Sequence, residues 1–361
     1  MTDAQLKGLN IGGWFSQIDA IEEKDPDLFG GVDAHMAAFI TAEDLDYIRT
    51  AGFDHARVPV DYQLFFDDNG SLAYPDRMDL LESSVRSILE RGLLVILDLH
   101  RCPGHFFHEG WQKPQEFFTD PEKRIVAKRV WSYLAERFGF DTRICFEILN
   151  EPVAAENRVW DEIKNEMAMH IRSIAKDNIL IVGSNMWNSA HTFDDLTPLK
   201  DDNVIYSFHY YNPLLFTHQK APWIIFDEIN RTREYPGEYY VQDPEARKKL
   251  AADDGVWNKD RMRESLSQVL SFRSKYGLPV ACNEFGVFHQ APRLSQLRWI
   301  SDFLDILDEV GIGYSYWTYK NLDFGLISDG EKLHSSLPQF QNDRRLDAEL
   351  AGLLAGQRKL S

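Results

Sequence analysis

The stretch Leu81–Leu99, LESSVRSILERGLLVILDL, decides how the chain is read. Its first half puts Leu81, Val85, Ile88 and Leu89 on one stripe of a 3.6-residue helix, and Gly92 marks where that helix should stop. Its second half, LLVILDL (93–99), is a short apolar run of the kind that forms a buried strand. A helix that returns directly into such a strand is the repeating piece of a β-α-β unit over a parallel sheet.

The same alternation runs from end to end. Apolar runs at LKGLNIGG (6–13), HARVPV (55–60), ICFEIL (144–149), ILIV (179–182), VIYSF (204–208), PVACN (279–283) and IGYSYW (312–317) bring the candidate strands to eight. Val126, Val130, Leu134 and Phe138 make a second helical stripe, and Leu297, Ile300, Leu304 and Leu307 a third. Asp120-Pro121 reads as an N-cap followed by proline at the first helical position, Thr41 and Asp44 as a capping box, and Gly52, Gly139 and Gly277 as stops. Eight such units in 361 residues match a (β/α)8 TIM barrel. A doubly wound sheet usually has fewer strands. No linker, charge block or repeat divides the chain, so one domain is expected over 1–361. The long irregular stretch is Asn212 to Trp257, after the sixth strand, with Phe216, Trp223, Phe226, Tyr235, Tyr239, Tyr240 and Trp257. A loop so long and so aromatic is expected to wall or cover a site.

Composition narrows the partners. A formal charge of -18 leaves no excess of basic groups to hold phosphates, so nucleic acid is excluded as a ligand. The start MTDAQLKGLNIGGWF has no basic segment leading into an apolar run, and no stretch approaches ~18 uninterrupted apolar residues, which predicts a soluble, cytoplasmic protein without a membrane partner. Cys102, Cys145 and Cys282 have neither zinc-site nor disulfide spacing and read as core residues of a reducing compartment.

In such a barrel, chemistry gathers where strands end. Arg57 lies in the second strand, the third ends Asp98-Leu99-His100, and the fourth ends Asn150-Glu151-Pro152. The sixth ends His209-Tyr210-Tyr211, the seventh Asn283-Glu284-Phe285-Gly286, and the eighth at Trp317. Strands four and seven stand across the ring, so Glu151 and Glu284 can face one cavity, as a retaining glycosidase requires. Arg57 or Tyr211 beside one glutamate would hold it ionised and leave the other protonated. Glu147 competes on the fourth strand and is read as a buried support. His100, His105 and His108 match no standard metal spacing, so neither metal nor other cofactor is expected. Asn185, Trp187 and Asn188 after the fifth strand, and Trp14 after the first, could touch sugar or only pack a loop.

Together FEILNEP (146–152), HARVPVDY (55–62), LDLH (97–100), FHYY (208–211), NEFG (283–286) and YWTY (316–319) resemble glycoside hydrolase family 5, in the clan of (β/α)8 retaining glycosidases. The resemblance runs from Leu9 to Asn321 and implies that Glu151 is the acid/base and Glu284 the nucleophile. It implies substrate-binding places for Arg57, His100, Asn150, His209, Tyr211 and Trp317. The overall likeness is to signal-less bacterial β-mannosidase branches, including those that trim mannosyl-β-1,4-N-acetylglucosamine, and NIGGWFSQIDAIEEKDP (10–26) prompts it. The expected enzyme is therefore an exo-acting β-mannosidase on short oligosaccharides. The alternative is an endo-β-1,4-glucanase or β-mannanase with an open cleft. A non-catalytic sugar-binding barrel is remote, since it should lack one glutamate. Oligomeric state is not legible.

Overall fold

The structure is a computed structural model that describes residues 5–24, 30–250, 253–328, 339–340 and 344–356. Residues 25–26, the end of the segment behind the mannosidase likeness, lie outside them.

Eight parallel strands close into a barrel: β1 (Lys7–Asn10), β2 (His55–Asp61), β3 (Leu94–Arg101), β4 (Ile144–Glu147), β5 (Leu180–Gly183), β6 (Val204–Tyr210), β7 (Val280–Phe285) and β8 (Gly313–Tyr316). They follow one another around the ring in chain order, with β1 pairing both β2 and β8. This is the (β/α)8 fold expected from the alternating pattern. Helices Pro75–Glu90, Pro121–Phe138, Asn157–Ile174 and Arg293–Val310 pack outside, their apolar stripes buried, apart from half-buried Val126, with the outward strand residues in one large core. The start signals formed as read: Thr41 and Asp44 make a reciprocal capping box, and Asp120 accepts from the Glu122 amide ahead of Pro121 at the first helical position. Such caps contribute about 1 kcal/mol each. Gly277 ends its helix in the left-handed conformation that glycine adopts without a Cβ penalty.

Inside the barrel the side chains change character with height. A small separate apolar cluster of Ile96, Cys145, Ile179, Ile181 and Ile205 fills the lower part. Above it stands a polar layer of Asn10, Arg57, Asp98, Glu147 and Asn283, all essentially inaccessible to solvent. Two register shifts re-aim residues near the mouth. Pairing of β2 with β3 steps from Val60↔Leu99 to Asp61↔Arg101, skipping His100, and pairing of β6 with β7 steps from Phe208↔Cys282 to His209↔Glu284, skipping Asn283. Bulges of this kind turn side chains off strict alternation.

Two expectations need correction. The fourth strand ends at Glu147, two residues short, so simple alternation does not carry from Glu147 to Glu151. The stretch from 212 to 257 is not irregular. It contains helices Leu214–Thr217 and Pro244–Leu250 and an antiparallel pair, Gly237–Tyr239 with Gly255–Trp257. Phe216, Tyr235, Tyr239 and Trp257 are buried and join the main core, so the insertion is packed onto the barrel. All three cysteines are free and buried. Among the described residues no helix is long and apolar enough to cross a membrane.

Candidate active site

Arg57 is the hub. Its guanidinium is fully buried and reaches Glu147 with Nε at 2.7 Å and Nη2 at 3.0 Å, Asp98 at 3.0 Å, and Glu284 with Nη1 at 2.6 Å. It also donates to Asn10 Oδ1 and Asn150 Oδ1, each at 2.7 Å. Asn283 Nδ2 adds a bond to Glu147 at 3.0 Å. Burial pushes Asp98 and Glu147 up to about 7, with the Arg57 charge acting against it. Glu147 is thus a support beneath the mouth, held on both oxygens.

The two mouth glutamates differ in their partners. Glu284 accepts from Arg57 and, at 3.0 Å, from the Tyr211 hydroxyl. Glu151 faces His209, whose Nδ1 lies 2.9 Å from Glu151 Oε1 and 3.4 Å from Glu284 Oε2. Burial and the nearby Glu284 charge hold the Glu151 carboxyl well above the usual carboxylate range. Burial also raises Glu284, but Arg57 and Tyr211 pull it back. Of this coupled pair, Glu284 is the more readily ionised and Glu151 the one that holds its proton longer. Burial keeps His100 and His209 neutral.

His100 Nδ1 bonds Asp98 Oδ2 at 2.7 Å, and the ring stacks on Trp317 at 5.6 Å between centroids and 3° between planes. Its Nε2, and Nδ2 of Asn150, have no hydrogen-bond partner among the described residues. Unpaired buried polar atoms beside a catalytic pair are where substrate hydroxyls would bond. All eight residues singled out from the sequence, Arg57, His100, Asn150, Glu151, His209, Tyr211, Glu284 and Trp317, therefore meet around one point.

A cavity of about 880 Å³ opens over them. Strands β4 and β7 divide its rim. On the β5 and β6 side it is lined by Met186, Trp187, Thr192, Leu214 and Leu250; on the β1, β3 and β8 side by Gln17, Asp19, Arg101, His108 and Leu322. From the insertion, His218 and Trp223 also line it; Trp223 packs edge-on against Phe288. Trp14 does not reach the cavity as an open platform, being 3% exposed with its indole bonded to Met36 O.

The histidine cluster does not assemble as a metal site. His105 Nε2 donates to the Glu151 carbonyl at 2.8 Å, while His100 is committed to Asp98. Among the described residues one group has the spacing to hold a cation: Glu151, His209 and Glu284, with ligand atoms within 4.8 Å of one another. Sequence reasoning did not assign Asn10, Asp98 and Asn283 to the site, nor His218. The polar residues interrupting apolar strands were the available signal for the first three; for His218 it was the unusual FTHQKAPW (216–223) within the aromatic insertion.

An eight-stranded barrel with two opposed glutamates beneath an open cavity is the arrangement that retaining glycoside hydrolases use. The chain belongs to glycosyl hydrolase family 5: the family's cellulase profile matches residues 20–323. It is 33% identical to endoglucanase C of Acetivibrio thermocellus over 334 residues, covering 90% of this chain and 94% of that protein. It is 32% identical to cellodextrinase A of Ruminococcus flavefaciens over 310 residues, covering 85% and 83%. In fold it is similar to the endoglucanase Cel5A of Thermotoga maritima, with a TM-score of 0.70, 24% identity, and coverage of 89% of this chain and 92% of that one.

Proposed function

We propose that the protein is a retaining endo-β-1,4-glucanase acting on cello-oligosaccharides, with Glu284 as nucleophile and Glu151 as acid/base. The observation that carries the mechanism is the pair's proximity: one oxygen of each glutamate lies within 4.8 Å of the other, which fits the separation of about 5–5.5 Å in retaining enzymes better than the roughly 6.5–9.5 Å of inverting ones. Glu284 attacks the anomeric carbon while Glu151 gives its proton to the leaving oxygen; Glu151 then takes a proton from the water that frees the sugar. Asn150 Nδ2 is suited to the 2-hydroxyl and Trp317 to the face of the ring being cleaved. Residues 1–361 act as one catalytic domain.

The exo-acting β-mannosidase expectation gives way here. The relatives above are named for cellulose-type substrates, and the rim is lined on both sides of the glutamates, which suits a chain running through the site. Incubating the protein with cellohexaose and mannohexaose tests this. Mixed cello-oligosaccharides whose new ends are first seen by NMR as the β-anomer are expected. Mannose released as the sole product from mannohexaose, faster than any cleavage of cellohexaose, would return the exo-mannosidase reading; mixed manno-oligosaccharides formed faster than cello-oligosaccharides would make it an endo-mannanase.

A further inference from the structure

After β5 the chain makes a left-handed turn in which three consecutive non-glycine residues have positive φ: Met186 at 52°, Trp187 at 58° and Asn188 at 56°. Asparagine tolerates this region; methionine and tryptophan do not favour it, so surrounding bonds must hold the turn. They do. Ser189 N–H closes it onto Asn185 O at 3.0 Å. Asn188 Oδ1 accepts from Ser184 N at 2.8 Å and its Nδ2 donates to Ser207 Oγ at 3.2 Å. Its amide lies where a Cβ on Gly183 would fall, 2.4 Å from Oδ1, so only glycine fits beneath it.

The turn is tied to the segment that carries Glu151. The Asn185 amide pairs both ways with the Ala154 backbone, accepting from N–H at 2.8 Å and donating to the carbonyl at 3.0 Å. Trp187 N–H donates to Pro152 O at 3.1 Å, and its indole Nε1–H to Phe107 O at 3.0 Å. Two residues before Phe107, His105 Nε2 donates to the Glu151 carbonyl at 2.8 Å. A closed circuit of hydrogen bonds thus runs from the β3 loop through residues 151–154 to the β5 turn and back. Met186 and Trp187 also line the cavity on the side away from Trp317's end of the rim.

We propose that Asn185 and the left-handed turn at 186–188 are a positioning device for Glu151, so that a leaving-side sugar resting on Trp187 and Met186 touches the same unit that fixes the acid's backbone. This rests on reading Glu151 as the acid/base. The device acts on proton delivery and not on nucleophilic attack. In kcat/KM, which reports steps only as far as formation of the glycosyl-enzyme, its loss is therefore felt only by substrates whose leaving group needs a proton.

The experiment compares kcat/KM for cellotetraose and for 2,4-dinitrophenyl β-cellobioside, whose leaving group departs without protonation, in Asn185→Ala, Trp187→Phe and Glu151→Ala. For Asn185→Ala a loss of about 10- to 100-fold on cellotetraose is expected, with the dinitrophenyl substrate within about threefold of the parent. Trp187→Phe, which keeps an aromatic platform and removes one indole bond, should show the same selectivity to a smaller degree. Equal losses on both substrates, or no loss in either variant, would overturn the proposal. Glu151→Ala separates the two ideas: if it is itself unselective, the acid/base assignment falls first.

Discussion

Arg57 Nη1 lies 2.6 Å from Glu284 Oε1, and the same guanidinium is clamped from below by both oxygens of Glu147. Glu284, the proposed nucleophile, is thereby aimed by a side chain held on several sides. The Tyr211 hydroxyl takes the other Glu284 oxygen at 3.0 Å. Preorganised donors on an anion in a buried site require no rearrangement when charge moves, which is where electrostatic catalysis gains most.

Glu284→Gln should abolish turnover of every substrate while leaving cellotetraose binding measurable by calorimetry. Glu151→Ala should lose about 10²- to 10⁴-fold on cello-oligosaccharides. Azide should partly restore it on dinitrophenyl substrates by attacking from the side the missing carboxyl vacates. Formation of a glycosyl azide is the readout, and turnover by the Glu284 variant would remove that residue from the mechanism.

Tyr211→Phe should move the acid limb of the kcat/KM profile to higher pH. The reactive form needs Glu284 ionised, and the Tyr211 bond lowers the pKa of that carboxyl. Without the bond Glu284 ionises later as pH rises, so activity is lost on the acid side. One hydrogen bond to a charged acceptor, about 1.5 kcal/mol at the low end, corresponds to a shift of roughly one pH unit. A profile that keeps its acid limb would mean that Tyr211 does not govern this ionisation.

Arg57→Lys should destabilise the fold by about 3–5 kcal/mol at neutral pH, because a point charge cannot serve Asp98, Glu147 and Glu284 together. The loss should be smaller at pH 5. Asp98 and Glu147 have folded-state pKa values raised to about 7, above their ordinary 3.8 and 4.5. The neutral forms thus favour the folded state, an advantage complete below the unfolded values and lost as pH rises through about 7. Denaturant unfolding at the two pH values gives the comparison, and equal losses would contradict it.

Chelation should leave activity intact, since two carboxyls suffice for the proposed chemistry. Excess Zn²⁺ should inhibit reversibly, because Glu151, His209 and Glu284 place ligand atoms within 4.8 Å of one another. Inactivation by EDTA that zinc restores would instead point to a metal enzyme.

The strand ends were readable because polar residues break apolar runs at the mouth: Asn150-Glu151 after ICFEIL, Asn283-Glu284 closing PVACN. The insertion was misread as irregular because short helices and a three-residue strand pair leave little periodicity. Its aromatics were split between the main core and the cavity by packing alone, with Trp257 fully buried and Trp223 lining the site.

Sequence by itself determined the barrel, since the alternation of helical stripe and buried strand fixes which faces must be covered. It also determined which groups stand at the strand ends. Tertiary structure decided their roles. Strict alternation cannot turn both Asn283 and Glu284 inward, yet Asn283 bonds Glu147 and Glu284 bonds Arg57, because the register of β6 against β7 slips by one residue there. The left-handed turn at 186–188 is equally invisible locally, for its strain is held by Ala154, Pro152 and Ser207, residues that only folding brings beside it.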